Sequence, residues 1–297
     1  MKKKFLTSAL ALGAAGALAL TGCAGGSDSG SGDGDSKGTV TFGLFNWDEA
    51  IAVTNLWKVI LEDEGYEVEI ETADPAPVFQ GLSDGAYDAV LDVWLPLTHQ
   101  EYVERYGDDI VELGAWNDEA KLTMAVNSDA PIDSISELAD NADEFGNRIV
   151  GIEAGAGLTS ATENEVIPTY GLEDMDFVVS STPAMLTELK SAMDSGDNIA
   201  VTLWRPHWAY DAYDIKDLED PEGTLGDAES IYSYGSSTLA DDFPEVSEWL
   251  TNFKMDSDHL YSLENLMFNE NEGSDDYEPI VREWIEQNQE YVDGLTS

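Results

Sequence analysis

Three tryptophans stand where a ligand could bind. Trp47, Trp94 and Trp204 each follow a predicted strand, and in open parallel sheets ligands bind outside the carboxyl ends of the strands. Indole faces that converge on one point form a box for a cation that has lost its water. A quaternary ammonium suits such a box because it is bulky, weakly hydrated and has no N–H group to satisfy. The alternative is that all three side chains serve only as core.

A glycine-rich segment could bind the opposite charge. Residues 151–160 read GIEAGAGLTS and lie between a predicted strand and a predicted helix. Such a turn presents backbone N–H groups at the positive end of a helix, which is an anion site. A dinucleotide-binding fingerprint is a rival, but Ser160 stands where its third glycine would be. A tight turn without a ligand is the other alternative.

One histidine lies close to the third tryptophan. His207 follows Trp204 by three residues, within the aromatic stretch VTLWRPHWAYDAYD at 201–214. Its imidazole can donate one hydrogen bond to a carboxylate oxygen. The alternative is a structural histidine that its neighbours satisfy. Arg205 could also approach an anion, unless a nearby acid of this acidic chain pairs with it.

The elements that position these residues alternate along the chain. Residue patterning predicts strands at 39–45, 66–71, 87–93, 148–152, 177–180 and 198–203. Helices are predicted at 49–63, 78–83, from about 98, from 158 and at 183–193, and the part 244–290 is predicted to be largely helical. This alternation favours parallel sheets with crossover helices. Connections through 121–127 and near 231–237 predict two lobes with two crossings. Trp57, Trp249 and Trp284 fall within helices and are assigned to packing.

The first residues predict export. Three lysines precede an apolar run at 5–20 that is too short for a spanning helix. Cys23, the only cysteine of the chain, then follows Leu-Thr-Gly in an ending that resembles the lipobox of bacterial lipoproteins. We therefore predict a signal peptide at 1–22, lipidation of Cys23 and a flexible tether at 23–37. The alternative is a chance cysteine beside a plain secretion site.

The charge balance limits the partners. Against 61 acidic residues the chain has 13 basic ones, which gives a net charge of −48. Such a surface repels nucleic acid and anionic lipid, so neither is expected as a partner. A strongly hydrated surface suited to high external salt is favoured over a store of multivalent cations, because no Asp-rich loop has the EF-hand pattern. We predict no metal site and no cofactor.

Taken together, these segments resemble the glycine betaine/proline betaine substrate-binding proteins of ABC importers, a group related to choline- and carnitine-binding proteins. The resemblance runs from about residue 38 to the C-terminal helices. It is carried by the segments NW at 46–47, AIA at 50–52, DVWLP at 92–96, GIEAGAG at 151–157 and WRPHW at 204–208, and by the 47-residue spacing from Trp47 to Trp94. Ala154 stands where many members carry proline.

The resemblance implies an α/β fold of the two-lobed periplasmic-binding-protein type (type II), each lobe a sheet flanked by helices, with the ligand in the interlobe cleft. Lobe I is expected at 38–124 and 232–297, and lobe II at 125–231. Hinge motion would close the lobes over the ligand. The ammonium group would lie among the indoles of Trp47, Trp94 and Trp204. The carboxylate would accept hydrogen bonds from His207 and from the backbone N–H groups of Gly155 and Ala156.

The function implied is extracellular capture of glycine betaine, or a related quaternary ammonium solute, for an ABC permease and its ATPase, in osmoprotection. The protein would be a monomer at the outer face of the cytoplasmic membrane, held only by its lipid anchor. Choline, carnitine, ectoine and proline stay open as ligands, and Asp48 and Glu49 beside the box leave a choline preference open. A lipid-anchored sensor is a second class. An enzyme acting on betaines is not predicted, because no G-x-S-x-G, H-E-x-x-H or phosphate-loop motif occurs.

Overall fold

The structure is a computed structural model that describes residues 36–297. The expected signal peptide at 1–22, the expected lipidation residue Cys23 and nearly all of the expected tether at 23–37 lie outside these residues. No helix within residues 36–297 has both the length and the apolar character that a membrane crossing needs.

The described part of the chain contains one nine-stranded sheet. Its strands are β1 (Thr39–Leu44), β2 (Glu67–Thr72), β3 (Ala89–Leu95), β4 (Ile110–Asn127), β5 (Arg148–Val150), β6 (Asp176–Val178), β7 (Ala200–Arg205), β8 (Ile215–Asp217) and β9 (Glu229–Ser236). They lie in the order β2-β1-β3-β9-β4-β7-β5-β6, and β8 pairs with β4. The mixed α/β class predicted from the sequence is confirmed.

The helices pack around this sheet. They are α1 (Asp48–Asp63), α2 (Pro75–Ser83), α3 (Gln100–Tyr106), α4 (Gly157–Ala161), α5 (Ile167–Tyr170), α6 (Thr182–Ser195), α7 (Ala209–Ala212), α8 (Leu239–Asp242), α9 (Pro244–Asn252), α10 (Ser257–Glu264), α11 (Glu278–Gln287) and α12 (Gln289–Asp293). A π-helical turn, Thr162–Val166, makes α4 and α5 one continuous helical segment. The largely helical C-terminal part agrees with the sequence pattern.

The strand directions divide the sheet into two halves. β1 is parallel to β2 and β3 in one half, and β5 is parallel to β6 and β7 in the other. The joining strands are antiparallel to their neighbours, because β9 lies between β3 and β4, and β4 pairs with β7. The predicted parallel arrangement therefore holds within each half and not across the junction.

One long strand connects the halves. β4 pairs with β9 as far as Ala120 and with β7 from Lys121 onward. The molecule consequently has two lobes, each a part of the sheet flanked by helices. The expected lobe boundaries, 124/125 and 231/232, fall inside β4 and β9 and stay a prediction.

Some element boundaries differ from the sequence expectation. The helix expected from Val78 begins at Pro75, because proline at the first helical position lacks only an N–H group that has no intrahelical partner there. β3 extends to Leu95 and β7 to Arg205. Trp94 and Trp204 are therefore the last residue but one of their strands and do not follow the strands.

The core continues around the helices. The apolar face of α1, formed by Ala52, Leu56, Val59 and Ile60, is buried, and Trp57 and Trp284 are also buried. Trp249 is partly buried and packs edge-on against Tyr66. These three tryptophans serve as packing residues, as the sequence predicted.

Candidate functional site

The three tryptophans that were predicted to form the ammonium site lie close together. Trp47 occupies the N-cap position of α1, and Trp94 and Trp204 are the penultimate residues of β3 and β7. Their side chains are 6%, 2% and 3% exposed. All three line one narrow cavity, whose empty volume is about 290 Å³ when the open space at its mouth is included.

Residues from both halves of the molecule complete this cavity. The remaining wall consists of Glu49, Thr98, Leu122, Ile152, Ala156, Gly157 and Leu158. Most of these side chains are apolar, and Glu49 is the one carboxylate among the lining residues. The cavity therefore suits a ligand with an apolar surface around a positive charge better than a hydrated ion.

Each indole N–H group of the cavity donates to a carboxylate. The three hydrogen bonds run from Trp47 Nε1 to Glu153 Oε2 at 3.3 Å, from Trp94 Nε1 to Asp92 Oδ1 at 2.7 Å and from Trp204 Nε1 to Glu49 Oε2 at 2.9 Å. Glu153 also accepts hydrogen bonds from the N–H and the hydroxyl group of Thr182 at 2.8 and 3.0 Å. The bonds of Trp47 and Trp204 join residues from opposite halves of the molecule.

Four acids are buried beside the cavity. Burial raises the pKa of Asp48 to about 6 and the pKa of Asp92 to about 7. Burial, with the charges of Asp92 and Glu264 added, raises the pKa of Glu49 well above its ordinary value. Burial and the charge of Asp48 do the same to the pKa of Glu264. Each of these groups would be stabilised as an anion by a positive charge placed nearby.

The glycine-rich turn brings the two halves into close contact. A Cβ atom at Gly157 would lie 2.4 Å from the carbonyl oxygen of Thr98 and 2.7 Å from its Cγ2 atom. The N–H groups of Leu97 and Thr98 donate to Glu229 Oε1 at 2.7 and 2.9 Å, which fixes that carbonyl in place. A side chain at 157 would therefore force one of the two facing segments to shift.

The start of α4 faces the cavity. Ala156 and Gly157 line the cavity, and α4 begins at Gly157. The first N–H groups of a helix have no intrahelical partner and carry its positive end. The N–H group of Ala156 itself donates to the carbonyl of Glu153 at 3.1 Å. The amide groups that remain for an anion are therefore those of the first turn of α4.

Two of the expected carboxylate donors lie elsewhere. Gly155 lines a neighbouring cleft, and its carbonyl accepts from Tyr102 at 3.4 Å. His207 is fully buried and packs edge-on against Trp204, with ring centroids 4.7 Å apart. Its Nδ1 atom accepts from the N–H group of Ala209 at 3.1 Å. Neither residue is among those that line the tryptophan cavity.

His207 faces an acid instead of the cavity. Its Nε2 atom lies 3.5 Å from Asp48 Oδ2 and has no hydrogen-bond partner within the described residues. Burial lowers the pKa of His207 to about 3, so the ring is neutral at physiological pH. Its expected role toward a ligand carboxylate stays a prediction.

Arg205 pairs with a neighbouring acid and does not line the cavity. Its Nε atom lies 2.9 Å from Asp217 Oδ2, and its guanidinium lies 3.4 Å from the centroid of the Tyr210 ring. The neighbouring acid that the sequence raised as a competitor therefore pairs with it. Trp208 also lies outside the cavity and donates its indole N–H to Asp48.

The carboxylate partners of the indoles were not predicted as part of the site. Asp92 precedes Trp94 by two residues in β3, and side chains two apart lie on the same side of a strand, so that spacing was a usable signal. Glu49 follows Trp47 by two residues and was raised only in connection with choline. Glu153 lies inside the glycine-rich segment, and nothing local indicates that it reaches Trp47.

The chain is similar to known proteins over most of its length. Residues 38–287 match the family described as the substrate binding domain of ABC-type glycine betaine transport system. Over 165 residues the chain is 34% identical to the glycine betaine/carnitine transport binding protein GbuC of Listeria monocytogenes serotype 1/2a (strain 10403S), which covers 55% of this chain and 52% of that protein. The match thus spans about half the length of that relative.

Two solved structures share the fold. Lactococcal OpuAC, in its closed-liganded conformation complexed with glycine betaine, superposes with a TM-score of 0.80 at 30% identity, covering 87% of this chain and 99% of that one. The glycine/betaine/L-proline-binding protein ProX from Borrelia burgdorferi superposes with a TM-score of 0.79 at 32% identity, covering 87% and 100%. The predicted two-lobed periplasmic-binding-protein fold (type II) is confirmed. The chain belongs to the family of substrate-binding domains of ABC-type glycine betaine transport systems.

Proposed function

We propose that this protein captures glycine betaine, or a closely related quaternary ammonium solute, and delivers it to an ABC transporter permease. One observation carries this proposal: Trp47, Trp94 and Trp204, which come from two lobes, line a single cavity. Each cation–π contact contributes roughly 0.5–2 kcal/mol, depending on desolvation. Three such contacts supply roughly 1.5–6 kcal/mol and the burial of three methyl groups about 2.4 kcal/mol, so micromolar binding, which needs about 8 kcal/mol, also requires the contacts of the ligand carboxylate.

The two ends of the cavity suit a zwitterion. The indoles and Glu49 surround the position for a trimethylammonium group, and the first turn of α4 supplies N–H groups for a carboxylate. The dipole of the helical segment that starts with α4 also favours the negative end of the ligand. Binding shifts the population toward the closed form because the ligand touches both lobes only there.

The setting of this activity is part of the proposal. The protein acts in osmoprotective uptake and not in catalysis, as a monomer whose lobes comprise 38–124 with 232–297, and 125–231. The lipobox-like ending supports a lipid anchor at Cys23 on the outer face of the cytoplasmic membrane. The family membership supports an ABC permease and its ATPase as partners.

Calorimetric titration of the purified protein tests the proposal. Glycine betaine should bind with micromolar or better affinity and should change the tryptophan fluorescence, because a cation placed against three indole faces changes their electrostatic environment. Glycine has the same carboxylate without the methyl groups and should give no heat. Choline and carnitine serve as further arms that define the ligand range. Absence of betaine binding would contradict the proposal.

Removal of one of the three indoles that line the cavity should weaken betaine binding strongly. Trp94→Ala deletes one indole face, and we expect at least about tenfold weaker betaine binding, or roughly 1.4 kcal/mol. Trp249→Phe is the matched control, because Trp249 packs against Tyr66 and does not line the cavity. Equal betaine affinities for the wild type and Trp94→Ala would show that the ligand lies elsewhere.

A further inference from the structure

The indoles of the cavity, and Trp208 outside it, donate to carboxylates, whereas Trp116 and Trp284 donate to neutral acceptors. All three cavity indoles donate to carboxylates. In the core, Trp116 donates to the carbonyl of Leu91 and Trp284 to the hydroxyl of Ser262. The Nε1 atom of Trp57 has no partner within the described residues. A neutral acceptor is thus sufficient to hold a buried indole, and packing alone does not require the carboxylates.

These carboxylates have no basic partner. Within residues 36–297, every lysine and arginine except Lys254 pairs with an acid, and none of these pairs involves Glu49, Asp92, Glu153 or Glu264. Lys254 donates to a backbone carbonyl.

The buried acids have no counter-charge within the described residues, so each either keeps its proton or gains a positive charge from a ligand. Asp92 Oδ2 and Glu264 Oε1 are buried without any hydrogen-bond partner there. A buried carboxylate without a counter-charge is costly. Because the cavity lies against Glu49 and among indoles bonded to the other carboxylates, a cation bound in it would be the missing counter-charge.

We propose that Glu49, Asp92 and Glu153 are positioning residues that make the cavity select a positive charge over a neutral group of the same shape. They act through the indole N–H groups to which they are bonded. A carboxylate that accepts an N–H bond polarises the ring toward a more negative face, and its own charge attracts the cation across a site of low dielectric. The apolar walls recognise the shape of the methyl groups, and the carboxylates recognise the charge.

Glu49 is the best position at which to test the selection for positive charge. It is 1% exposed, lines the cavity and holds Trp204 from the opposite lobe. Glu49→Gln keeps an acceptor for the Trp204 N–H group and removes the charge. A purely structural role would survive this substitution, whereas charge selection would not.

The experiment compares two ligands of the same shape and rests on the proposed function. Glycine betaine and 3,3-dimethylbutanoate, in which carbon replaces the ammonium nitrogen, are titrated into each variant at about pH 8, where both carry an ionised carboxylate. The wild type should prefer betaine strongly. Glu49→Gln should lower the ratio of the two affinities by about fivefold or more, while 3,3-dimethylbutanoate affinity, or its absence, stays as in the wild type. Glu49→Asp, which keeps the charge, should restore much of the ratio.

Controls separate local charge from total charge and from misfolding. Glu62→Gln changes the same residue type in the last turn of the same helix and should leave the ratio unchanged. If Glu49→Gln does not fold, Asp92→Asn provides the same comparison through Trp94. Wild-type betaine binding with an unchanged ratio in the folded variant overturns this inference alone. Failure of the wild type to bind betaine overturns the proposed function and this inference with it.

Discussion

Asp48 and Asp92 are acids whose ionisation a ligand can change. Burial raises the pKa of Asp48 to about 6 and that of Asp92 to about 7. A quaternary ammonium in the adjacent cavity favours the ionised carboxylates and therefore lowers both pKa values. Below about pH 7 the ligand-free protein holds protons at these acids that the bound form gives up. If the protein binds betaine as proposed, binding and proton release should be linked.

We expect betaine affinity to rise with pH between about pH 6 and 7, where Asp48 and Asp92 lose their protons, and the raised pKa values of Glu49 and Glu264 should extend this rise to higher pH. The slope cannot exceed about tenfold per pH unit for each proton released. Titrations at about pH 6 in two buffers with different ionisation enthalpies count the released protons directly. Asp92→Asn should reduce this count. Proton uptake on binding, or an affinity that falls with rising pH, would contradict the linkage.

The residues of the site were predictable in part. The three tryptophans stand at or near strand ends, a local feature that the sequence pattern reveals. Their carboxylate partners depend on long-range contacts: Glu49 and Trp204 lie 155 residues apart, and Glu153 and Trp47 lie 106 apart. Likewise, His207 was placed beside Trp204 correctly, but no local pattern indicates that its ring turns toward Asp48.

The first turn of α4 shows how one element sets the width of the cleft. Its first residue, Gly157, lies so near the Thr98 carbonyl that a methyl group would overlap with it. Glu229 on β9 fixes the turn that contains Thr98 through two backbone N–H groups and the threonine hydroxyl. Relief of the overlap requires one of the two facing segments to shift, and we expect this shift to widen the cleft.

Gly157→Ala should therefore weaken betaine binding by at least about tenfold and leave the melting temperature of the ligand-free protein nearly unchanged, because each lobe still folds. Small-angle scattering with saturating betaine should show a more open molecule than the wild type. Ser160→Ala, an exposed position in the same helix, is the control. Wild-type affinity in Gly157→Ala would show that the contact does not limit closure.

Most elements could be predicted and a few could not. Period-two and helical patterns located β1, β2, α1 and α6 within a few residues. The first part of β4 was missed because register shifts near Gly114 and Asn117 interrupt its alternation. Alternating strands and helices also cannot reveal that β4 and β9 return antiparallel, since that direction depends on the connection between the lobes.

The whole molecule has far more negative than positive charge. Its net charge is −48, and nearly all of its basic side chains in the described part are already paired with acids at the surface. Such exposed pairs contribute roughly 0–1 kcal/mol each, so they do not offset the repulsion among the remaining carboxylates.

Salt should stabilise the ligand-free protein. The screening length falls from about 10 Å at 0.1 M to about 3 Å at 1 M ionic strength, so the melting temperature should rise over this range, by roughly 2–4 °C for each kcal/mol of repulsion removed. Magnesium chloride at matched ionic strength should give a similar rise. A large, saturating rise at low millimolar magnesium would instead indicate specific binding of a multivalent cation.

The sequence was most informative about the architecture of the whole molecule. Two βα regions with two connections predicted the two-lobed architecture, because the pattern of elements repeats along the chain. The degree of closure was not predictable, since it depends on how two separately folded surfaces meet.

The hydrogen bonds from Trp47 to Glu153 and from Trp204 to Glu49 also bear on how the solute leaves. Each bond links one tryptophan of the cavity to the opposite lobe. Opening of the lobes therefore breaks both bonds and separates the indoles at the same time. Ligand release would then be abrupt, because a bound permease would need only to separate the lobes and would not have to compete for the ligand.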